Sequence, residues 1–307
     1  MIIDTECHVI DRLWPIEINP SRSLVEGYTW HSHSGDLLVA EMDRAGVSSA
    51  FLIGYDGYDF PAYLARFGSG PDEFFGGRTY ARHYVDKHPQ RFSYFVTLRD
   101  PRTGDRVEEL TAEAERGAAG IKIFPSYLAL ALDDPAMKPV YECCAAHNLR
   151  IMVGLEDTAP PRTNSHLEYF QQLERMLDQH PTLLWQFNHA GAVDLPSREG
   201  DAFFRIAKES RRVYVSTSFL GGGADLAWPD QWRYPFPQYL QQLEVVYDAI
   251  GADRLMWATD WPWLESFTKY PQLLGSIQEY GTFMSSAERD AFLGLNAVAF
   301  LAGRTPG

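Results

Sequence analysis

Residues 120–155 read GIKIFPSYLALALDDPAMKPVYECCAAHNLRIMVGL, and this stretch contains one complete strand, helix, strand unit. A short apolar run, Gly120–Phe124, gives way to helical spacing over Pro135–His147 and then to a second apolar run, Arg150–Leu155. Asp134 and Pro135 stand in the order of an N-cap and a first helical residue, and Asn148 follows where the helix should stop. A connection of this kind joins parallel strands.

The alternation continues in both directions. Further strands are expected at Met1–Val9, Val47–Gly54, Phe92–Leu98, Leu183–Asn188, Val213–Phe219 and Leu255–Thr259. Between them, helical spacing covers Asp36–Ala45, Glu73–His88, Asp105–Arg116, His166–His180, Ser197–Ser210 and Pro237–Ile250. A tail from Ser285 to Leu301 opens with the capping-box spacing of Ser285 and Glu288. Eight strand–helix repeats predict an α/β fold, a single (β/α)8 TIM barrel over residues 1–307 with long βα loops on its C-terminal face, with an open doubly wound sheet as the alternative. The 307 residues, 45% hydrophobic and 22% charged, suffice for such a core, and no repeat or low-complexity linker divides them.

Charge and cysteine usage narrow the function classes. Lys and Arg number 27 against 41 Asp and Glu, a net charge of −14 that repels nucleic acid and anionic lipid. No apolar run approaches the ~20 residues of a membrane span. The three cysteines are Cys7 and the adjacent Cys143 and Cys144, a usage that suits a reducing compartment. With no basic leader before Asp4, the expectation is a cytoplasmic protein that acts on small molecules.

A barrel places its chemistry at the C-terminal ends of the strands. The first ends Asp4-Thr5-Glu6-Cys7-His8, and a period of two puts Asp4, Glu6 and His8 on one side and Thr5 and Cys7 on the other. Glu6 and His8 could chelate one divalent ion, Zn²⁺ or Mn²⁺, or simply contact each other at the strand end, while Cys7 reads as packing. The sixth strand ends in Asn188-His189-Ala190-Gly191 and the eighth in Ala258-Thr259-Asp260-Trp261-Pro262, which sets His189 and Asp260 across the mouth from the first pair. Lys122, between Ile121 and Ile123, needs a partner for its ammonium in the barrel interior or the site wall.

In this order the motifs resemble the amidohydrolase-related (family 2) branch of the amidohydrolase superfamily, which includes aminocarboxymuconate-semialdehyde decarboxylase, aromatic-acid decarboxylases and lactonases. The residues that carry the resemblance are the acidic-spacer-His opening, Gly120–Ile123, Asp133–Pro135, Asn188–Gly191, Ala258–Pro262 and Leu295–Ala297. The resemblance implies that Glu6 and His8 are first-strand metal ligands, a Glu in the first place being similar to the aromatic-acid decarboxylases. It implies that Asp260 binds metal or handles protons, and that His189 polarises a carbonyl, relays a proton or joins the ligands. The fifth strand departs from the family: Gly154 stands where a metal-binding His is usual. One divalent metal, Zn²⁺ or Mn²⁺, is therefore expected on Glu6, His8, Asp260 and His189, held weakly or not at all unless Glu156 or His189 makes good the loss.

Long segments after strands one, two and seven are rich in rings, among them Trp14, Trp30, Tyr55, Trp228 and Tyr234. They suit a cyclic or aromatic substrate, and packing of the loops onto the barrel would use the same rings. Trp30, Trp261, Lys122 and Glu156 are the expected substrate-binding residues. His31 and His33 have chelator spacing, and Arg78, Arg82 and His83 could meet a carboxylate or form ion pairs. The expected function is metal-dependent hydrolysis of a small cyclic or aromatic amide or lactone. The alternatives are decarboxylation of an aromatic acid, dehydrative ring closure, and a barrel that binds a ligand without turnover. Relatives of this type commonly pair, so a homodimer is expected.

Overall fold

The structure is a computed structural model that describes residues 1–9, 33–54, 77–155, 164–218, 220, 233–266 and 268–305. Eight parallel strands form one sheet in sequential order: β1 (Ile3–His8), β2 (Ser49–Gly54), β3 (Phe92–Thr97), β4 (Gly120–Ile123), β5 (Arg150–Val153), β6 (Trp185–Phe187), β7 (Val213–Ser216) and β8 (Leu255–Met256). The helices of the outer layer are α1 (Gly35–Ala45), α2 (Gly77–Lys87), α3 (Arg106–Glu115), α4 (Pro125–Leu128), α5 (Lys138–Ala146), α6 (His166–Gln179), α7 (Arg198–Glu209), α8 (Pro237–Ile250), α9 (Tyr270–Tyr280), α10 (Ser286–Asp290) and α11 (Asn296–Leu301). This is the (β/α)8 TIM barrel.

The expected end signals operate. Asp134 accepts from the Ala136 amide at the start of a 3-10 turn, Pro135–Met137, that leads into α5, and Asn148 takes a left-handed φ of 55° beyond it. Ser285 and Glu288 close the capping box of α10. Two helices, the four-residue α4 and α9, are not among the expected elements; in α9, Pro271 and Gly275 interrupt the spacing. Pro271 lies in the first turn, where it is tolerated, and α9 packs against α1.

The ladder between β8 and β1 is thinner than the other seven. β8 is shorter than the expected Leu255–Thr259, and the barrel closes through single backbone bonds: Thr5 N–H to Trp257 O at 3.0 Å, Asp260 N–H to Glu6 O at 2.9 Å and His8 N–H to Trp261 O at 2.7 Å. Asp4 stitches the same seam. Its carboxylate accepts from the Thr259 amide (3.0 Å) and hydroxyl (2.6 Å) and from the Tyr270 hydroxyl (2.9 Å) of α9. The expectation that Asp4 shares a face with Glu6 and His8 is thereby corrected. The pairing register of β1 with β2 shifts between Asp4 and Cys7, so Asp4 turns outward to the helix layer while Glu6 turns in.

Polarity rises along the barrel axis. Ile3, Phe51, Phe95, Met152, Leu184 and Met256 fill the interior at the N-terminal end. Further along the strands, the inward positions carry Thr97, Lys122, Gln186, Ser216 and Glu6, all buried. Apolar side chains thus seal one end, and the fold holds its polar groups at the other.

Candidate active site

Four strands bring charged side chains together at the C-terminal mouth. Glu6 of β1 is fully buried and accepts from Lys122 Nζ of β4 at 2.6 Å through one oxygen and from Ser218 Oγ, just past β7, at 2.5 Å through the other. Burial alone would raise the Glu6 pKa, but the charges of Lys122 and His189 and these two hydrogen bonds outweigh it and hold the carboxyl well below the usual range. Glu6 is therefore an anion at neutral pH. The ammonium also lies 4.5 Å from the centroid of the Phe124 ring.

His8, at the end of β1, places Nε2 at 3.1 Å from Asp260 Oδ1. Burial first, and the nearby Lys122 charge second, push the imidazole pKa well below its ordinary value, so His8 is neutral at pH 7. His189 is anchored through Nδ1, 2.9 Å from Ser218 Oγ and 3.2 Å from Ser218 O, and its Nε2 stands 3.7 Å from Glu6 Oε1. One serine hydroxyl thus serves Glu6 and His189 together.

The backbone that presents two of these groups is strained. Asp260 has φ 54°, and His189, Ala190 and Ala192 have φ of 54°, 50° and 54° around Gly191 at 81°. Each non-glycine residue in this left-handed region costs about 1 kcal/mol or more, and such costs concentrate where a side chain must be aimed.

Glu6, His8 and Asp260 each offer a ligand atom, and the three atoms lie within 4.8 Å of one another. The donor chemistry suits a divalent ion: two carboxylates, and an imidazole whose neutrality leaves a lone pair. Although both Glu6 oxygens already accept a hydrogen bond, each keeps a second lone pair.

Gly154 continues β5 with its amide bonded to Ile123 O at 3.0 Å, and supplies no ligand there. Cys7 is a packing residue: burial and the charge of Asp4 raise its thiol pKa well above the ordinary value, so it stays protonated.

Two of the expected substrate-binding residues are seen with protein partners. Lys122 donates to Glu6. Trp261 is buried in the layer between strands and helices, with its indole N–H donating to Glu265 Oε1 at 2.9 Å and the His33 ring set edge-on at 5.1 Å. His33 itself lies 3.3 Å from Glu265. Trp30, Glu156, His31 and the rings Trp14, Tyr55 and Trp228 fall outside the described residues. Arg78 and Arg82 pair with Glu109 and Glu113 and so form ion pairs. Ser218 was missed, since a serine at the end of an apolar run carries no spacing signal.

A (β/α)8 barrel whose C-terminal mouth buries two carboxylates, an imidazole and an ammonium beside the half-buried His189 is built as an enzyme. The chain belongs to the amidohydrolase family, whose sequence model, described as "Amidohydrolase", matches residues 3–302. An L-fucono-1,5-lactonase from Burkholderia ambifaria is 26% identical over 177 residues, 56% of this chain and 53% of that protein, so the match spans about half of the curated relative's length. A solved amidohydrolase from Burkholderia multivorans with bound zinc superposes with a TM-score of 0.70 at 16% identity, covering 98% of this chain and 99% of the other. For 5-carboxyvanillate decarboxylase from Sphingomonas paucimobilis the TM-score is 0.59 at 18% identity, with 98% of each chain covered. Among the described residues, no helix is long and apolar enough to cross a membrane.

Proposed function

We propose that the enzyme opens a small cyclic ester or amide by hydrolysis, using a divalent ion held by Glu6, His8 and Asp260. The observation that carries this reading is the convergence of those three donors at the buried mouth. When bound, such an ion would lower the pKa of a water and polarise a carbonyl.

The chain's own groups divide the remaining work. Asp260 is the proton acceptor for the attacking water, and the imidazole at 3.1 Å fixes its orientation. His189, pinned at Nδ1 by Ser218, presents its other nitrogen to the site to polarise the carbonyl or return the proton to the leaving oxygen or nitrogen. Lys122 and Ser218 keep Glu6 ionised and in place. The cyclic ester is the preferred member of this class because the curated relative is a lactonase.

Asp260→Asn should lower turnover of a lactone or cyclic-amide substrate by about 10²–10⁴-fold while leaving the melting temperature close to wild type. A panel of lactones, cyclic amides and aromatic acids, assayed with added Mn²⁺ or Zn²⁺, identifies the substrate for this measurement. A variant that turns over near the wild-type rate overturns the assignment.

Decarboxylation of an aromatic acid is the second reading, favoured by one observation: a Glu, not a His, occupies the first ligand position of β1. Release of carbon dioxide from an aromatic acid, with no lactone opened, would select it.

A further inference from the structure

The upper barrel wall holds polar atoms that the site chemistry above does not use. Asn188 is fully buried, yet among the described residues neither its Oδ1 nor its Nδ2 has a hydrogen-bond partner; the buried hydroxyl of Ser216 has none there either. Both side chains face the interior. On β6, Trp185 and Phe187 pack outward, and Gln186 reaches inward to Thr5 O at 3.1 Å, so the alternation turns Asn188 inward as well. On β7, Tyr214 belongs to the interior cluster and Ser216 follows it by two.

The strand register sets them side by side. Gln186 pairs with Tyr214 and Phe187 with Val215, which brings Asn188 level with Ser216. On the other flank Val153 pairs with Phe187, so the neighbour of Asn188 on β5 is Gly154, which brings no side chain. Asn188 directly precedes His189, and Ser216 lies two residues before Ser218. The row is therefore the wall next to the reacting groups.

A buried amide without a partner destabilises the fold, so its presence beside a reaction centre points to a ligand that completes it. We propose that Asn188 and Ser216 form a recognition subsite for an uncharged polar group, a hydroxyl or an amide, borne by the substrate close to its reacting carbonyl. This rests on the hydrolase reading and goes beyond it in naming the substituent. The amide offers both donor and acceptor, and the hydroxyl does the same. A carboxylate only accepts and would strand Asn188 Oδ1; an ammonium only donates and would strand Nδ2. Only a group with both capacities satisfies the pair.

The test compares α-hydroxy-γ-butyrolactone with γ-butyrolactone, which differ by one hydroxyl. The expected kcat/KM ratio favours the hydroxylated ring by about tenfold in the wild type, carried mainly by KM, and falls to about one in Asn188→Leu. Ser216→Ala should reduce the ratio part-way. Asn188→Leu should also melt about 2 °C higher, since a side chain of similar volume replaces an unpartnered amide.

A ratio that survives Asn188→Leu, with both rates lowered together, indicates a structural role and overturns the subsite. If the wild type opens neither ring, the panel of lactones and cyclic amides decides the hydrolase reading, and the two rings are compared as ligands of the wild type by calorimetry. A preference for the hydroxylated ring that disappears in Asn188→Leu then supports the subsite, and the absence of such a preference, or of any binding, overturns it.

Discussion

Lys122 shows how one residue can be legible in part. Its place in the run Ile121-Lys122-Ile123 requires a partner for the ammonium, and alternation turns it away from its apolar neighbours, but no local spacing names Glu6, 116 residues earlier. The sequence also assigns it to the substrate, and the structure shows its ammonium on a carboxylate. Glu6, His8, His189 and Asp260 were readable because each is an ionisable residue at the end of a strand. Ser218, which links two of them, was not, because a serine there is chemically ordinary. The Lys122–Glu6 pair predicts an asymmetric mutational response. Lys122→Met leaves a buried carboxylate without its counter-charge and should cost about 3–5 kcal/mol, read by denaturant unfolding, with the Glu6 pKa moving up. The double variant Lys122→Met/Glu6→Gln should recover most of that loss, since two neutral groups carry no unpaired charge. If Lys122→Met is as stable as wild type, the pair is not the buried ionic contact described above.

At the scale of elements, the strand–helix alternation was legible from apolar runs and caps, and the exceptions have physical causes. The spacing of α9 is broken by Pro271 and Gly275, and β8 gives up part of its ladder to place Asp260 in a left-handed conformation. The irregularity in β1 was invisible because nothing in Asp4–His8 departs from ordinary alternation; it exists because Asp4 is drawn out to Thr259 and Tyr270. That seam should be sensitive to pH. Burial pushes the Asp4 pKa up from 3.8 to about 6, with the hydrogen bonds from Thr259, Cys7 and Tyr270 opposing it in part. The raised value means that the folded chain holds the proton more tightly than the unfolded one. This contribution to stability is complete below pH 3.8 and is lost as the pH rises through about 6. The difference spans roughly 3 kcal/mol at 1.36 kcal/mol per pKa unit. Comparing wild type with Asp4→Asn between pH 4 and pH 8 isolates it from the other carboxylates: the wild type should lose stability relative to the variant across that window. A difference that stays flat with pH would mean that Asp4 does not titrate at the seam.

For the molecule as a whole, the polarity gradient along the barrel axis explains why the site sits where it does, and the net charge of −14 bears on how its metal should be detected. An acidic surface gathers divalent cations loosely everywhere, so bulk metal content says little about the mouth. Binding that favours the native state does discriminate, because it stabilises by RT ln(1 + [L]/Kd), about 2.7 kcal/mol at a hundredfold excess over Kd. For a chain of 307 residues, whose unfolding entropy scales with length, that corresponds to a rise of about 4 °C in the melting temperature. His8→Ala is the informative comparison. It deletes one of the three donors while removing a neutral side chain, so no charge is left unpaired by the change itself. Zn²⁺ or Mn²⁺ should raise the melting temperature of the wild type by about that amount, a chelator should reverse the shift, and His8→Ala should lose most of it because a three-donor site falls to two. Surface binding would shift both proteins equally and fade at high salt, where long-range attraction is screened. Equal shifts in wild type and His8→Ala would place the cation elsewhere than Glu6, His8 and Asp260 and would remove the metal from the hydrolytic reading.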